Sequence, residues 1–419
     1  MITICIPTIR PQNLPALFDA IAKNAEVDDY KIDWLEDVDR EGCPKTLKKM
    51  VDRSEGDLIC FLGDDTLPEP GFLKHALNTM ATLPGGWGVV GLNSQVSKHA
   101  GHFLADKRML PFLGGDFFNL EYWHCFCDHE LTDIAQEMER YAFSEKAVVT
   151  HVHPAFKRTE TDNDYNRVYS DEYYDHDRTV YYQRKRKRYG FKLGIGFPVI
   201  DKNVSLDFMV SFVTLEKPEY TLLVPRFATG EFYRDIAQVR NNLVDQALDE
   251  GCTHLWMIDT DQVYRDPKTI EKLLACDSMI AGGPVHRRYP PFDLILYRGT
   301  LGNYKYITDE IAYSGDVIDI DATGAGCLMF KMELFDQIKR PWFENWIHKD
   351  TGKPVGEDIG LCHKARTAGM QIRADTSIKI GHMTLFEVTE ETYKLFCEVR
   401  GFKKTPINAN YKVGCQSPG

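Results

Sequence analysis

The chain has 419 residues, 43% hydrophobic and 27% charged, a globular composition long enough for two domains that excludes disordered and fibrous classes. Its net charge of −12 argues against a general polyanion binder, though not against a local basic patch. No apolar run approaches the roughly 18 residues of a membrane span, and the eleven scattered cysteines read as reduced, so a soluble cytoplasmic protein is expected.

The first elements alternate. Ile2–Pro7 reads as a buried strand ended by proline, and Leu14, Leu17, Phe18 and Ile21 mark one face of a helix over 14–24. Lys31–Leu35 is a second strand closing in Glu36, Asp37 and Asp39; a helix over 44–52 and a strand over 58–65 follow. This is the pattern of a doubly wound α/β sheet, whose ligands sit beyond the carboxyl ends of the strands. That strand ends in Gly63-Asp64-Asp65. Further on come a strand over 88–92, a helix opened by Asp128, and a strand over 148–154 carrying His151 and His153 on one face. The stretch 162–182 is dense in Tyr and Asp without clean periodicity. It closes on the basic run Arg184–Arg188, where the domain boundary is placed.

The pattern then restarts. Lys192–Pro198 matches the first strand and its proline, and Leu206–Leu215 matches the first helix. Tyr220–Pro225 is a second strand, and the helix over 235–248 carries Arg240 and Asn241. The strand Leu255-Trp256-Met257-Ile258 runs into Asp259-Thr260-Asp261, where two carboxylates one residue apart can share a face and hold a hard divalent ion. The turn Gly324-Ala325-Gly326, a helix opened by Glu357-Asp358, and a strand ending in His382 complete the series. The offset is 191 from Pro7 to Pro198 and 196 from Asp65 to Asp261; it is 230 from Asp128 to Asp358 and 231 from His151 to His382. Such order implies a tandem duplication with an insertion of about thirty residues around 289–319. Expected domains are 1–165 and 191–400, with a linker at 166–190 and a tail at 401–419.

Two carboxylates and an imidazole make a mixed O/N site for one divalent ion. An acid at a helix start, Asp128 or Asp358, suits a general base, and it equally suits a helix cap.

These motifs resemble those of GT-A glycosyltransferases, particularly family 2-like enzymes of bacteria and phages, over 1–155 and 191–385. The resemblance implies two GT-A domains with mixed, mostly parallel sheets. It implies an Mn²⁺ or Mg²⁺ ion and a nucleotide-diphosphate sugar donor, with a UDP-sugar expected. Its metal and phosphate motif falls on Asp259 and Asp261, and in the first half on Asp64 and Asp65. The late histidine falls on His382 and on His151 or His153, and the catalytic base on Asp358 and Asp128. Donor contacts are implied for Pro7, Arg10, Asp37, Asp39, Pro198, Arg240, Asn241, Gly324 and Gly326. The second half has Val224-Pro225-Arg226 in place of the nucleotide-reading acids.

The activity expected is sugar transfer to a hydroxyl acceptor, with two successive transfers within reach of one chain. The acceptor is a glycan or a hydroxymethylated base in phage DNA, in which case Arg184–Arg188 would contact DNA and the compartment would be the host cytoplasm. A solvated linker is the other reading of that run. Trp342, Phe343 and Trp346 read either as an acceptor platform or as packing of the insertion. Arg287 and Arg288 read as phosphate or acceptor contacts or as a solvated loop. Rival functions are a glycan transferase with one catalytic and one carbohydrate-binding or scaffold domain, and a nucleotidyltransferase. The latter usually has a Gly-rich loop after its first strand, and Pro7-Thr8-Ile9-Arg10 is poor in glycine.

Overall fold

A computed structural model describes residues 1–152, 154, 159–199, 204–225, 235–384 and 389–400. It divides into two compact units, Met1–Leu193 with Asp245–His254, and Gly194–Val244 with the chain from Leu255 onward.

Unit 1 contains strands β1 (Ile2–Thr8), β2 (Tyr30–Glu36), β3 (Leu58–Phe61), β4 (Thr66–Pro68), β5 (Val89–Asn93), β6 (Phe103–Asp106) and β7 (Tyr141–His151). They form one sheet in the order β2-β1-β3-β6-β5-β7-β4. β1 runs parallel to β2 and β3, while β6 lies antiparallel between β3 and β5. Helices α1 (Leu14–Asn24), α2 (Cys43–Arg53) and α3 (Phe72–Met80) connect the strands. In α1, Leu14, Leu17 and Ile21 are buried at helical spacing, and Pro15 is accommodated in the first turn. They pack with Ile2, Ile4, Ile6 and Phe72 on one face of the sheet, while Leu47, Met50 and Phe103 build the core on the other.

Helices α4 (Cys127–Glu137), α5 (Asn163–Val168) and α6 (Asp171–Tyr189) complete the unit. The segment 166–190, expected as a linker, is therefore helical. Ser170 caps α6 through the backbone N–H of Tyr173, and Gly190, with φ of 66°, ends it. Tyr181 is buried in the same core as Leu131 and Phe103.

Unit 2 has β8 (Leu193–Gly196), β9 (Tyr220–Leu223), β10 (His254–Ile258), β11 (Gln262–Tyr264) and β12 (Ile280–Gly282). Then come β13 (Leu296–Arg298), β14 (Lys305–Tyr306), β15 (Val317–Ile320), β16 (Ala322–Thr323) and β17 (Cys327–Lys331). β18 (Trp346–Ile347), β19 (Pro354–Val355), β20 (Ile372–Asp375) and β21 (Ile380–His382) are the last strands. The main sheet reads β9-β8-β10-β17-β12-β20-β15. Its first six strands repeat β2-β1-β3-β6-β5-β7 position by position, which is the tandem duplication expected from sequence. The inserted segment accounts for the difference: β15 adds an edge strand beside β20, and β13 and β14 form a small sheet with β16. The helices are α7 (Leu206–Val213), α8 (Ile236–Asp249), α9 (Thr269–Ala275), α10 (Asp309–Ala312), α11 (Leu334–Gln337), α12 (Glu357–Thr367) and α13 (Glu390–Arg400). No helix among the described residues is long and apolar enough to cross a membrane.

Candidate active sites

The duplication extends to side-chain register. In unit 1, β4 pairs antiparallel with the end of β7, Thr66 opposite His151. In unit 2, β11 pairs the same way with β21, Gln262 opposite His382. Each pairing sets the acid just before its short strand against the histidine. The Nε2 to carboxylate distance is 3.2 Å for His151 and Asp65, and again 3.2 Å for His382 and Asp261.

In unit 1 this pair opens into a cavity of about 770 Å³ at the carboxyl edge of the sheet. A third imidazole joins it. Asp65, His102 and His151 present ligand atoms all within 4.8 Å of one another. His102 is buried, packs edge-on to the His151 ring and has a buried Nδ1 without a hydrogen-bond partner. Burial, with repulsion from His151, pushes its pKa down to about 4, so the ring is neutral and available as a ligand. Burial alone would raise the Asp65 carboxyl, but its hydrogen bond to His151 and that ring's charge hold it below the usual range. Tyr165 donates its hydroxyl to the same carboxylate at 2.8 Å. One carboxylate and two imidazoles are a fitting donor set for a borderline divalent ion.

The other residues expected at the donor site behave differently from one another. Asp64 is buried and accepts from Thr8 Oγ1 at 2.7 Å and from the backbone N–H groups of Ile9 and Arg10 at 3.0 and 3.1 Å. It thus ties down the loop after β1, with Pro7 and Arg10 beside it in the cavity wall. Arg10 lies over the Tyr165 ring and donates two hydrogen bonds to Asp162, whose pKa they help hold down to about 2. Asp37 also lines the cavity, but its oxygens accept from the N–H groups of Glu41 and Gly42, holding the turn before α2. Asp39 is exposed and is not among the cavity-lining residues, although Asp37 before it and Arg40 after it are. His153 lies outside the described residues.

Asp128 sits in the first turn of α4 and borders the same cavity. Its Oδ1 is 2.9 Å from His129 Nδ1. Burial opposes ionisation of Asp128, yet the His129 hydrogen bond holds its pKa below the usual range. The loop before α4 is anchored from α6: the fully buried Asp177 accepts the backbone N–H groups of Trp123, His124 and Cys125 at 2.8, 2.7 and 2.6 Å. The supposed linker therefore positions the candidate base. Its tyrosines, with Trp123, also wall the cavity; the Trp123 and His176 rings stack at 3.7 Å.

The basic run lies on the last turns of α6. Arg184 and Arg188 both reach Glu130, at 2.9 and 3.1 Å, and Lys185 reaches Asp133 at 3.3 Å. Arg186 is buried, which leaves Lys187 as the exposed cation of the run.

Unit 2 carries the counterparts of Asp65 and Asp128, Asp261 and Asp358, together with Asp259 where unit 1 has Gly63, under heavier positive control. Arg288 donates to Asp261 at 2.8 Å, beside His382. Burial would raise the Asp261 carboxyl, but the His382 hydrogen bond, then Arg288, hold it down. Asp259 is bound by the buried Arg240 at 2.9 Å, and the same guanidinium reaches Glu357 at 3.3 Å. Burial raises the pKa of Asp259, Glu357 and Asp358 despite Arg240. Asp358 accepts the backbone N–H of Ile359 at 2.7 Å. A Cβ on Gly324 would come within 3.6 Å of Asp358 Oδ2, and one on Gly326 within 3.1 Å of Gln262 Nε2.

Asn241, expected beside the donor, is instead spent on the backbone. Its amide donates to Ala237 and Phe343 and accepts from the N–H groups of Trp342 and Phe343. Trp342 and Phe343 are buried, which makes them packing rather than an acceptor platform, and Trp346 is half-buried against Gly360. Pro198 is buried just after β8.

Sequence reasoning missed His102, Tyr165 and His129. The signal for His102 was the short strand that follows it, the counterpart of β17.

No family model matches the sequence, and neither does any curated protein. Among solved structures the chain is similar to A197 from STIV at 20% identity and a TM-score of 0.32, covering 46% of this chain and 86% of that one. It is similar to residues 1–349 of TarS from S. aureus at 12% identity and a TM-score of 0.33, covering 44% and 65%. It is also similar to the mannosyltransferase PcManGT from Pyrobaculum calidifontis, in complex with GDP-Man and Mn²⁺, at 14% identity and a TM-score of 0.33, covering 45% and 64%. The chain thus spans a little under two thirds of the length of the last two.

Proposed function

We propose that the protein is a glycosyltransferase that binds a nucleotide-diphosphate sugar with a divalent ion at the acid and histidine of each unit, and moves the sugar to a hydroxyl acceptor. The observation that carries this reading is the twin construction: the same acid and the same histidine, 3.2 Å apart, at the same register of two duplicated sheets. Packing alone gives no reason to build a half-buried acid and imidazole pair twice at the sheet edge where ligands of such folds sit.

In unit 1, Asp65, His102 and His151 would hold Mn²⁺, or Mg²⁺ less comfortably given two nitrogen donors. When bound, the ion neutralises charge on the diphosphate leaving group. The chain's own residues do the rest. The loop Pro7–Arg10, tied by Asp64, and the turn held by Asp37 shape the donor end. Asp128 accepts the proton of the attacking hydroxyl. The aromatic wall from Trp123 to Tyr174 excludes water and stacks on the acceptor. In unit 2 the corresponding groups are Asp261, His382 and Asp358.

A sugar hydroxyl is the acceptor this site suits best. A hydroxymethylated nucleic-acid base is the second reading, favoured by the aromatic wall, but the basic run of α6 is engaged with acids and offers little grip on a phosphate backbone. The test is a screen of UDP- and GDP-sugars with Mn²⁺, reading nucleotide release and then acceptor mass. Metal-dependent release that disappears in the Asp65→Asn/Asp261→Asn/Asp358→Asn variant is expected. Unchanged turnover by that variant contradicts the proposal.

A further inference from the structure

Unit 1 contains a second set of ligating side chains that shares no residue with Asp65, His102 and His151. His99 comes from the loop between β5 and β6, and Asp128 and His129 come from the first turn of α4. Their ligand atoms all lie within 4.8 Å of one another. The His99 and His129 rings are in contact, with centroids 3.9 Å apart, and His129 Nδ1 already faces Asp128 Oδ1.

The two segments are fixed to each other through the Thr132 hydroxyl. Ala100 donates its N–H to Thr132 Oγ1 at 2.9 Å, and that hydroxyl donates to the Asp128 carbonyl at 2.7 Å. The position of His99 is therefore locked to the helix that carries its partners. Gly101 leaves room beside the other carboxylate oxygen, since a Cβ there would stand 3.5 Å from Asp128 Oδ2. Phe126 and Tyr181 flank the His129 ring.

We infer that His99, Asp128 and His129 form a second divalent-metal site in unit 1, a two-histidine, one-carboxylate triad for a first-row transition ion such as Zn²⁺, Co²⁺ or Mn²⁺. Two touching imidazoles and a carboxylate held by a rigid scaffold are pre-organised for one cation, which accounts for all three together. Asp128 and His129 both line the cavity, so coordination positions not filled by protein face the substrate space. Oδ1 goes to the ion, and Oδ2, at the Gly101 gap, stays available to the acceptor hydroxyl. In unit 2 the residue after the corresponding acid is Ile359, which cannot ligate, so this site belongs to unit 1 alone.

The inference rests on the glycosyltransferase reading only for its proximity to the acceptor; ion binding itself does not. The experiment uses the full-length chain stripped with chelator, titrated with Co²⁺ and then Zn²⁺, counting bound ions by dialysis and reading the Co²⁺ visible bands. The His99→Ala/His129→Ala variant is expected to lose one equivalent that the His151→Ala variant keeps. Asp65→Asn is expected to lower unit 1 sugar transfer by about 10³-fold while leaving the His99, Asp128 and His129 ion in place. The milder His129→Gln variant should bind that ion at least tenfold more weakly, with an unchanged melting temperature in chelator. An ion count and affinity equal to the unaltered protein's in both histidine variants would mean a stacked, hydrogen-bonded pair only, and overturns the inference.

Discussion

The two units carry one constellation in two electrostatic settings. In unit 1, Asp65 faces two imidazoles and a tyrosine hydroxyl, none of them a fixed cation. In unit 2, Arg288 stands on Asp261 and Arg240 on Asp259. Guanidinium groups are always charged, so unit 2 meets Asp259 and Asp261 with built-in positive charge, whereas Asp65 meets His151 and the Tyr165 hydroxyl. A divalent ion entering unit 2 must compete with the Arg288 guanidinium as well as the histidine; entering unit 1 it competes with the Tyr165 hydroxyl and His151. Duplication thus preserved the backbone frame while the counter-charge diverged.

The sharpest way to break this comparison is to remove each acid. Asp65→Asn should lower unit 1 transfer by about 10³-fold and leave unit 2 untouched, with Asp261→Asn doing the reverse, as measured by donor-specific nucleotide release. Equal effects of both variants on a single activity would mean one functional site.

Next in size is Arg240→Met. It strands Asp259 and Glu357, with Asp358 close by, and should cost unit 2 about 3–5 kcal/mol in urea unfolding at neutral pH. The sign with pH follows from the raised carboxyls. Their folded pKa values lie above the unfolded ones, so the stability their protonation brings is full below the unfolded pKa and lost as pH rises through the folded values. The variant's deficit should therefore shrink on acidification. A deficit independent of pH contradicts the charge argument.

Asp177→Ala tests the frame of unit 1. It leaves three backbone N–H groups without their acceptor and should destabilise that unit by about 3 kcal/mol while raising KM for the acceptor, with unit 2 melting unchanged. The smallest effect is expected from Arg288→Ala, which should raise the Mn²⁺ affinity of unit 2 by roughly tenfold, the size of one removed charge–charge contact. Calorimetric titration would read it, and a weakened affinity would show that Arg288 assists binding.

What was legible in the sequence was what periodicity and repetition encode. The helix over Leu14–Asn24 and the strand after Tyr30 stand where their apolar spacing puts them. The repeat aligns Asp65 with Asp261 and a late histidine, His151 or His153, with His382; that Asp65 meets His151 and Asp261 meets His382 comes from the strand pairing. Helix α6 escaped because it has no apolar stripe; its buried residues are Asp177, Tyr181 and Arg186, and Asp177 and Tyr181 are held by hydrogen bonds to the loop before α4 and to Asp133. Arg240 and Asn241 are both expected as donor contacts, and the partners they meet differ. Only three-dimensional neighbours show that Arg240 is a counter-ion for Asp259 and that Asn241 clasps the Trp342 loop. His102 has only the short strand after it as a signal in the sequence, and it is the antiparallel place of β6 between β3 and β5 that carries it to Asp65.

The most direct test of the central claim is the binding stoichiometry of nucleoside diphosphate in saturating Mn²⁺. Two equivalents per chain are predicted for the unaltered protein, one for Asp65→Asn, one for Asp261→Asn and none for the double variant. Undiminished binding by the folded double variant would contradict the account.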